Sequence, residues 1–176
     1  FVRTTIVEPN GFYKVKKIVV GGDARYNSVF NGLLAAEGSD YVLIHDGARP
    51  LVDAAMISRC IEAVQKDKAC IAAVPVKDTI KQIGADGAVE QTIDRSKLHA
   101  IQTPQCFEYP LILNAYSRLF RQVATGQMSL DGITDDASVA ELMTEQAVKL
   151  VQGDYKNLKV TTPEDIVVAE ALLKSK

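Results

Sequence analysis

An acid and a base sit three residues apart in "HDGARP" (45–50), where Asp46 and Arg49 bracket Gly47 and Ala48. The apolar run before them reads as a strand, so both side chains fall at a strand's carboxyl end, where α/β folds collect ligands. A carboxylate there can hold Mg²⁺, which prefers one or two carboxylates plus phosphate oxygens. An arginine beside it can take a phosphate in a fork. Asp46 and Arg49 could also form a surface ion pair, or Asp46 could cap the following turn. The reading taken is that they face a phosphorylated substrate and that the small residues let it come close. His45 invites a general-base role, but a single histidine completing a buried strand is expected to be a hydrogen-bonded core residue, and His99 likewise.

Other stretches carry compatible chemistry. "GGDARYNS" (21–28) sets two glycines after an apolar run, then Arg25, with Ser28 expected at a helix start. Adjacent glycines allow a base or sugar to approach the backbone, although a tight turn with Ser28 as its cap explains them too. Thr103-Pro104 is placed at a strand end, offering a hydroxyl. Asp135 and Asp136 suggest a metal site, yet acids at a helix start, with Thr134 as the cap, are the simpler account. Asp94-Arg95 can be an ion pair or a phosphate contact. Lys159, between Leu158 and Val160, reads as an inward lysine on a strand that wants an anionic partner. Neither GxGxxG nor GxxxxGK[ST] occurs, which argues against dinucleotide and P-loop sites.

The elements that must position these groups alternate. Strands are expected at 1–7, 16–22, 41–45, 69–76, 98–102 and 147–153. Helices are expected from Ser28 toward Gly38, through Ile57, Cys60, Ile61 and Val64, from 110 to 123, from 135 to 144, and from Pro163 onward. "YVLIH" (41–45), apolar on both faces, reads as a central parallel strand. The alternation implies an α/β fold, doubly wound. Residues 79–95 differ: a polar β-hairpin with Asp86-Gly87 in its turn. An isolated hairpin is marginal in water, so this one is expected to lean on a second copy of the chain.

With 176 residues the chain suits one domain, and 47% hydrophobic residues is ordinary for a globular protein. Twenty Lys+Arg against 22 Asp+Glu give a net charge of −2, so no global field draws nucleic acid or a membrane. Cys60, Cys70 and Cys106 lack metal-ligand spacing and read as reduced packing residues of an intracellular protein. The chain opens at Phe1 without an initiator methionine and reads as a fragment, or as a numbering restarted after missing residues.

Six stretches in order, "GGDARYNSVFNGL", "VLIHDGARPLV", "VPVKDTIK", "IDRSKLHAIQTPQCF", "GITDDASVAE" and "NLKVTTPEDI", resemble the 2-C-methyl-D-erythritol 4-phosphate cytidylyltransferase family, from about Lys16 to the C-terminus. The resemblance implies a Rossmann-like, doubly wound nucleotidyltransferase fold with a protruding hairpin arm. It also implies a cytoplasmic, Mg²⁺-dependent homodimer that uses CTP and a polyol phosphate. By residue it implies cytidine contacts at Gly22, Asp23, Arg25 and Ser28, and triphosphate and magnesium contacts at Asp46. Arg49, Thr103 and Lys159 match substrate-side contacts. Thr79 and Arg95 match arm residues that reach the neighbouring subunit's site. Asp46, Arg95 and Lys159 form the expected catalytic set. A cytidylyltransferase for another polyol phosphate, such as ribitol 5-phosphate, is the nearest alternative. A non-catalytic nucleotide-binding module and a nicotinamide-dependent oxidoreductase are further ones. Family members also carry an early glycine-rich loop with an arginine and a lysine. No such stretch occurs here, so residues 1–176 are expected to form a single domain without it, with weak nucleotide binding if the polypeptide itself lacks it.

Overall fold

Apolar side chains alternate along the strands and feed two cores, one on each face of a four-stranded sheet. A computed structural model describes residues 1–174. The strands are β1 (Tyr41–Ile44), β2 (Ala69–Pro75), β5 (His99–Glu108) and β6 (Lys149–Gln152), in the order β1-β5-β2-β6. Along β2, Ala69 and Ile71 join one core while Cys70 and Ala72 join the other; on β5, Phe107 and Cys106 divide in the same way. This is the two-residue period of a strand covered on both faces.

The first core packs the sheet against α1 (Arg25–Ala35), α3 (Tyr109–Ala124) and α4 (Asp136–Met143), through Leu33, Ile112, Tyr116, Leu119 and Val139. Phe30, Tyr116 and Phe120 form an aromatic group, with Phe30 and Phe120 centroids 5.0 Å apart. The second core packs it against α2 (Ala54–Asp67) through Met56, Cys60 and Val64, spaced four residues apart. Asp53 caps α2 by accepting from the Met56 amide at 2.7 Å. Cys60, Cys70 and Cys106 are free and fully buried, as packing residues should be. Pro163 opens α5 (Pro163–Lys174), and Asp165 turns back to accept from the Thr161 and Thr162 amides.

The hairpin pairs β3 (Ile80–Ile83) with β4 (Val89–Ile93) as a separate two-stranded sheet. Gly87 takes the positive φ of its turn, 80°, which glycine tolerates without a Cβ clash. Ile83 and Val89 stay exposed.

Several expectations need correcting. Residues 1–7 form a π-helical turn at Arg3–Val7, and 16–22 lie exposed and unpaired, because β-propensity counts only where a neighbouring strand supplies hydrogen bonds. β1 is no central parallel strand; it pairs antiparallel with β5 alone among the described residues. Its two-sided apolarity has another cause: Val42 and Ile44 face the first core and Leu43 the second. The sheet is mixed, with β5 antiparallel to β1 and β2, and β6 parallel to β2. α1 starts at Arg25, three residues ahead of Ser28. Ile57 and Ile61 are exposed beside the buried Cys60 and Val64 of the same helix. Asp135, and not Thr134, caps α4, in a reciprocal capping box with Ser138.

Candidate active site

The cleft forms where β1 and β6 end and β5 is deformed. From Ile71 to Ala73 β2 advances two residues, while β5 runs from Gln105 back to Ile101, so residues 102–104 bulge out of the ladder. Pro104 has no amide hydrogen to give and fits such a place. Thr103 is therefore in the middle of β5 and not at a strand end, and the bulge turns it toward Asp46. Its Oγ1 accepts from the Asp46 amide at 3.0 Å.

The resulting cleft has a volume of about 250 Å³ and is lined by Arg25, Asp46, Arg49, Thr103, Asp135 and Lys159, among others. Lys159 lies on an irregular segment after β6, and not on a strand. That segment is pinned to the "HDGARP" turn and to the bulge: Val160 donates to the Ala48 carbonyl at 2.8 Å, Arg49 to the Asn157 carbonyl at 2.7 Å, and the buried Asn157 amide to the Thr103 carbonyl at 2.8 Å. Gly153 begins it where a Cβ would lie 2.5 Å from Gln102 Oε1 and 3.1 Å from the Ala73 carbonyl oxygen. Gly153→Ala is expected to cost about 1–3 kcal/mol, the usual range for overpacking, measured by urea unfolding.

Asp46 is the electrostatic centre. Lys159 Nζ lies 3.0 Å from its Oδ2, Arg49 Nε 3.8 Å from the same oxygen, and Arg25 Nε 3.8 Å from Oδ1. Partial burial pushes the Asp46 carboxyl up, but the Lys159 hydrogen bond and the three cationic charges outweigh it and hold the group below the usual carboxylate value. Arg49 turns its fork onto backbone carbonyls; its Nε is buried without a hydrogen-bond partner. Burial lowers the Arg49 pKa, and Asp46 opposes that.

Arg25 is held from behind by Asp136, with Tyr116 and Gln105 around it. Both its terminal nitrogens donate to Asp136, at 3.0 and 2.7 Å, and Asp136 is completely buried. Tyr116 donates to Asp136 at 2.6 Å, while Gln105 Oε1 accepts from the Asp136 and Ala137 amides at the start of α4. The Asp136 hydrogen bond holds Arg25 above its ordinary value, and burial, then Asp136, pushes the Tyr116 phenol up. Asp136 is thus an ion-pair partner and not merely a helix-start acid.

Of the expected site residues, Arg25, Asp46, Arg49, Thr103 and Lys159 converge on one cleft. Gly22 and Ser28 stand next to it at the start of α1, where the Gly22 amide donates to Ser28 Oγ at 3.0 Å. A Cβ at Gly22 would lie 2.3 Å from Asn27 Cβ, so the close approach of this segment to α1 requires a glycine there. Asp23 is exposed. Thr79 and Arg95 lie at the base of the arm, away from the cleft lining, with Arg95 donating to the Lys77 carbonyl at 2.5 Å. His45 and His99 are exposed and not core residues, though His45 is hydrogen-bonded on both ring nitrogens. Gln105 lies inside the "IDRSKLHAIQTPQCF" stretch with no role of its own singled out there, and Tyr116 lies in the helix expected from 110 to 123 with no signal to distinguish it.

A mixed sheet covered by helices on both faces, with carboxylates and guanidinium groups gathered at its strand ends, is the architecture of an α/β protein that binds an anionic ligand at that edge. The crystal structure of 4-diphosphocytidyl-2C-methyl-D-erythritol synthase from Anaerococcus prevotii superimposes with a TM-score of 0.83 at 36% identity, covering 96% of this chain and 73% of that one. The 2-C-methyl-D-erythritol 4-phosphate cytidylyltransferase structure from Thermus thermophilus gives 0.74 at 32% identity, covering 88% and 71%. The enzyme of the same name from Lachnoclostridium phytofermentans is 47% identical over 174 residues, which span 99% of this chain and 72% of that protein. The family model for 2-C-methyl-D-erythritol 4-phosphate cytidylyltransferase matches residues 6–175. The chain belongs to that family.

Proposed function

We propose that the chain transfers a cytidylyl group from CTP to 2-C-methyl-D-erythritol 4-phosphate, giving 4-diphosphocytidyl-2-C-methyl-D-erythritol and pyrophosphate. The observation that carries this reading is the ionised Asp46 set among Lys159, Arg25 and Arg49 at the mouth of the cleft, in a chain of this family. A phosphate oxygen of the polyol phosphate forms the new bond to the α-phosphorus of CTP. The bond from that phosphorus to the bridging oxygen breaks, and its electron pair leaves on pyrophosphate. The nucleophile is already an anion, so no proton must be removed. Catalysis then rests on alignment and charge. Lys159 and Arg25 neutralise and orient the phosphates, and Asp136 and Tyr116 keep Arg25 in place.

The same residues suit a divalent cation. Arg25, Arg49 and Lys159 are matched by Asp46, Asp135 and Asp136, so the cleft has little positive charge to spare for a triphosphate. Arg25 Nε stands 3.8 Å from Asp46 Oδ1, beyond hydrogen-bond distance, and Asp135 is engaged by Gln105 and Ser138. One carboxylate with substrate phosphate oxygens suits Mg²⁺. Among the described residues no cluster of three or more acid, histidine or cysteine ligands occurs, so substrate oxygens and water would complete the shell. When bound there, the ion would supply charge neutralisation between the two anions.

The arm supports a homodimer. Its two strands pair only with each other among the described residues and leave Ile80, Ile83 and Val89 exposed. A reciprocal partner would cover them and receive Thr79 and Arg95 in its cleft. Mixing inactive Arg95→Ala chains with inactive Asp46→Ala chains is expected to restore activity, because half of the mixed sites then hold both wild-type residues; absence of recovery would remove the shared site. Among the described residues no helix is long and apolar enough to cross a membrane, which is compatible with work in the cytoplasm. Identifying the CDP-polyol formed from CTP in the presence of both methylerythritol 4-phosphate and ribitol 5-phosphate tests the substrate. The CDP-methylerythritol product is expected to dominate, and a dominant CDP-ribitol product would overturn the choice.

A further inference from the structure

We infer that His45 is a positioning residue that fixes Thr103 as a hydrogen-bond acceptor in the cleft, so that Thr103 reads a hydroxyl of the polyol substrate and not its phosphate. The inference rests on the polyol-phosphate reading above and deepens it.

The argument is a proton count along one chain of hydrogen bonds. His45 Nε2 lies 3.1 Å from the Arg49 carbonyl oxygen, and a carbonyl can only accept, so Nε2 carries the hydrogen. In the neutral ring Nδ1 is then an acceptor. Thr103 Oγ1 lies 3.1 Å from Nδ1 and must give it its only proton. The same Oγ1 accepts from the Asp46 amide at 3.0 Å. A hydroxyl has one proton and two lone pairs, and two of these three are now committed. What Thr103 has left for the cleft it lines is a single lone pair. That lone pair attracts an O–H donor and repels a phosphate oxygen. Lys159 and Arg25, by contrast, can only donate.

The relay also joins three parts of the site. It ties the Asp46 backbone to the β5 bulge through Thr103, and the bulge back to the "HDGARP" turn through the Arg49 carbonyl. His45→Leu would leave the fold's packing almost untouched, because the ring is exposed. It would free the Thr103 proton to turn into the cleft.

Steady-state kinetics test the consequence. His45→Leu is expected to raise KM for the polyol phosphate about tenfold while KM for CTP stays within about twofold, as loss of one oriented hydrogen bond to one substrate predicts. His45→Asn sets an amide oxygen near the place of Nδ1 and is expected to restore most of that loss. Thr103→Val should reproduce the defect, and adding His45→Leu to it should bring no further loss, since both remove the same contact. Equal effects on both substrates, no rescue by asparagine, or additive losses would overturn the inference. Nitrogen-15 NMR of the imidazoles gives a readout independent of turnover, with His99→Gln assigning the two histidines. The His45 tautomer protonated at Nε2 is expected, and protonation at Nδ1 instead would overturn the inference. A chain that shows the expected tautomer yet makes no CDP-methylerythritol would refute the proposed reaction and, with it, the hydroxyl-reading role.

Discussion

Lys159→Met is expected to lower kcat by about two to three orders of magnitude, the usual effect of removing one preorganised donor from developing oxyanion charge. Lys159 Nζ lies 3.0 Å from Asp46 and reaches the cleft from a segment held by three hydrogen bonds to backbone carbonyls that the substitution leaves alone. Stability should change by less than about 1 kcal/mol, because Lys159 is half exposed and such pairs are weak in water. Urea unfolding beside the kinetics separates these effects. A second signature follows from Asp46. Its folded pKa is depressed below 3.8, so the ion pair's contribution is present above the unfolded value and is lost as pH falls through the folded one. Removing Lys159 takes away its principal stabilising partner. The acid limb of the residual activity is expected to move to higher pH. A variant with unchanged kcat, or an unmoved acid limb, would show that Lys159 is a bystander.

Asp136→Ala is expected to cost about 3 kcal/mol of folding stability, near the lower end for breaking a buried pair because Arg25 keeps some access to water. Asp136 is fully buried and accepts from both Arg25 terminal nitrogens and from the Tyr116 hydroxyl. Its loss strands a buried phenol and releases Arg25 from its fixed position. Asp136→Asn keeps the shape and one acceptor and should fall between wild type and alanine. CTP affinity is expected to drop in parallel as Arg25 becomes mobile, measured by calorimetric titration. A cost below about 1 kcal/mol would contradict the view that Asp136 anchors Arg25.

How much of this could be read beforehand depended on whether a signal was local. The helices α2, α3 and α5 followed from spacing, caps and Pro163, and the hairpin from Asp86-Gly87 between alternating strands. Order within the sheet did not, because β5 inserts between β1 and β2 through contacts far apart in sequence. Val42, Leu43 and Ile44 gave the pattern of a central strand, although two separate cores produce it at an edge. In the site, Asp46, Arg49 and Lys159 stood out because charge beside apolar neighbours is conspicuous. Gln105 and Tyr116 did not, since a buried amide and a core aromatic become informative only when their partners are in view. Pro104 is a legible mark of broken pairing; its sequence context suggests the end of a strand, and the structure shows a bulge.

The central claim is that the cleft joins two phosphorylated molecules by aligning and neutralising them. Phosphorus-31 NMR of the chain with CTP, methylerythritol 4-phosphate and Mg²⁺ tests it most directly. The account predicts that the polyol monophosphate signal is replaced by a diphosphate diester, with one pyrophosphate formed per diester. Persistence of the monophosphate signal, or conversion of CTP to hydrolysis products without a diester, would contradict it.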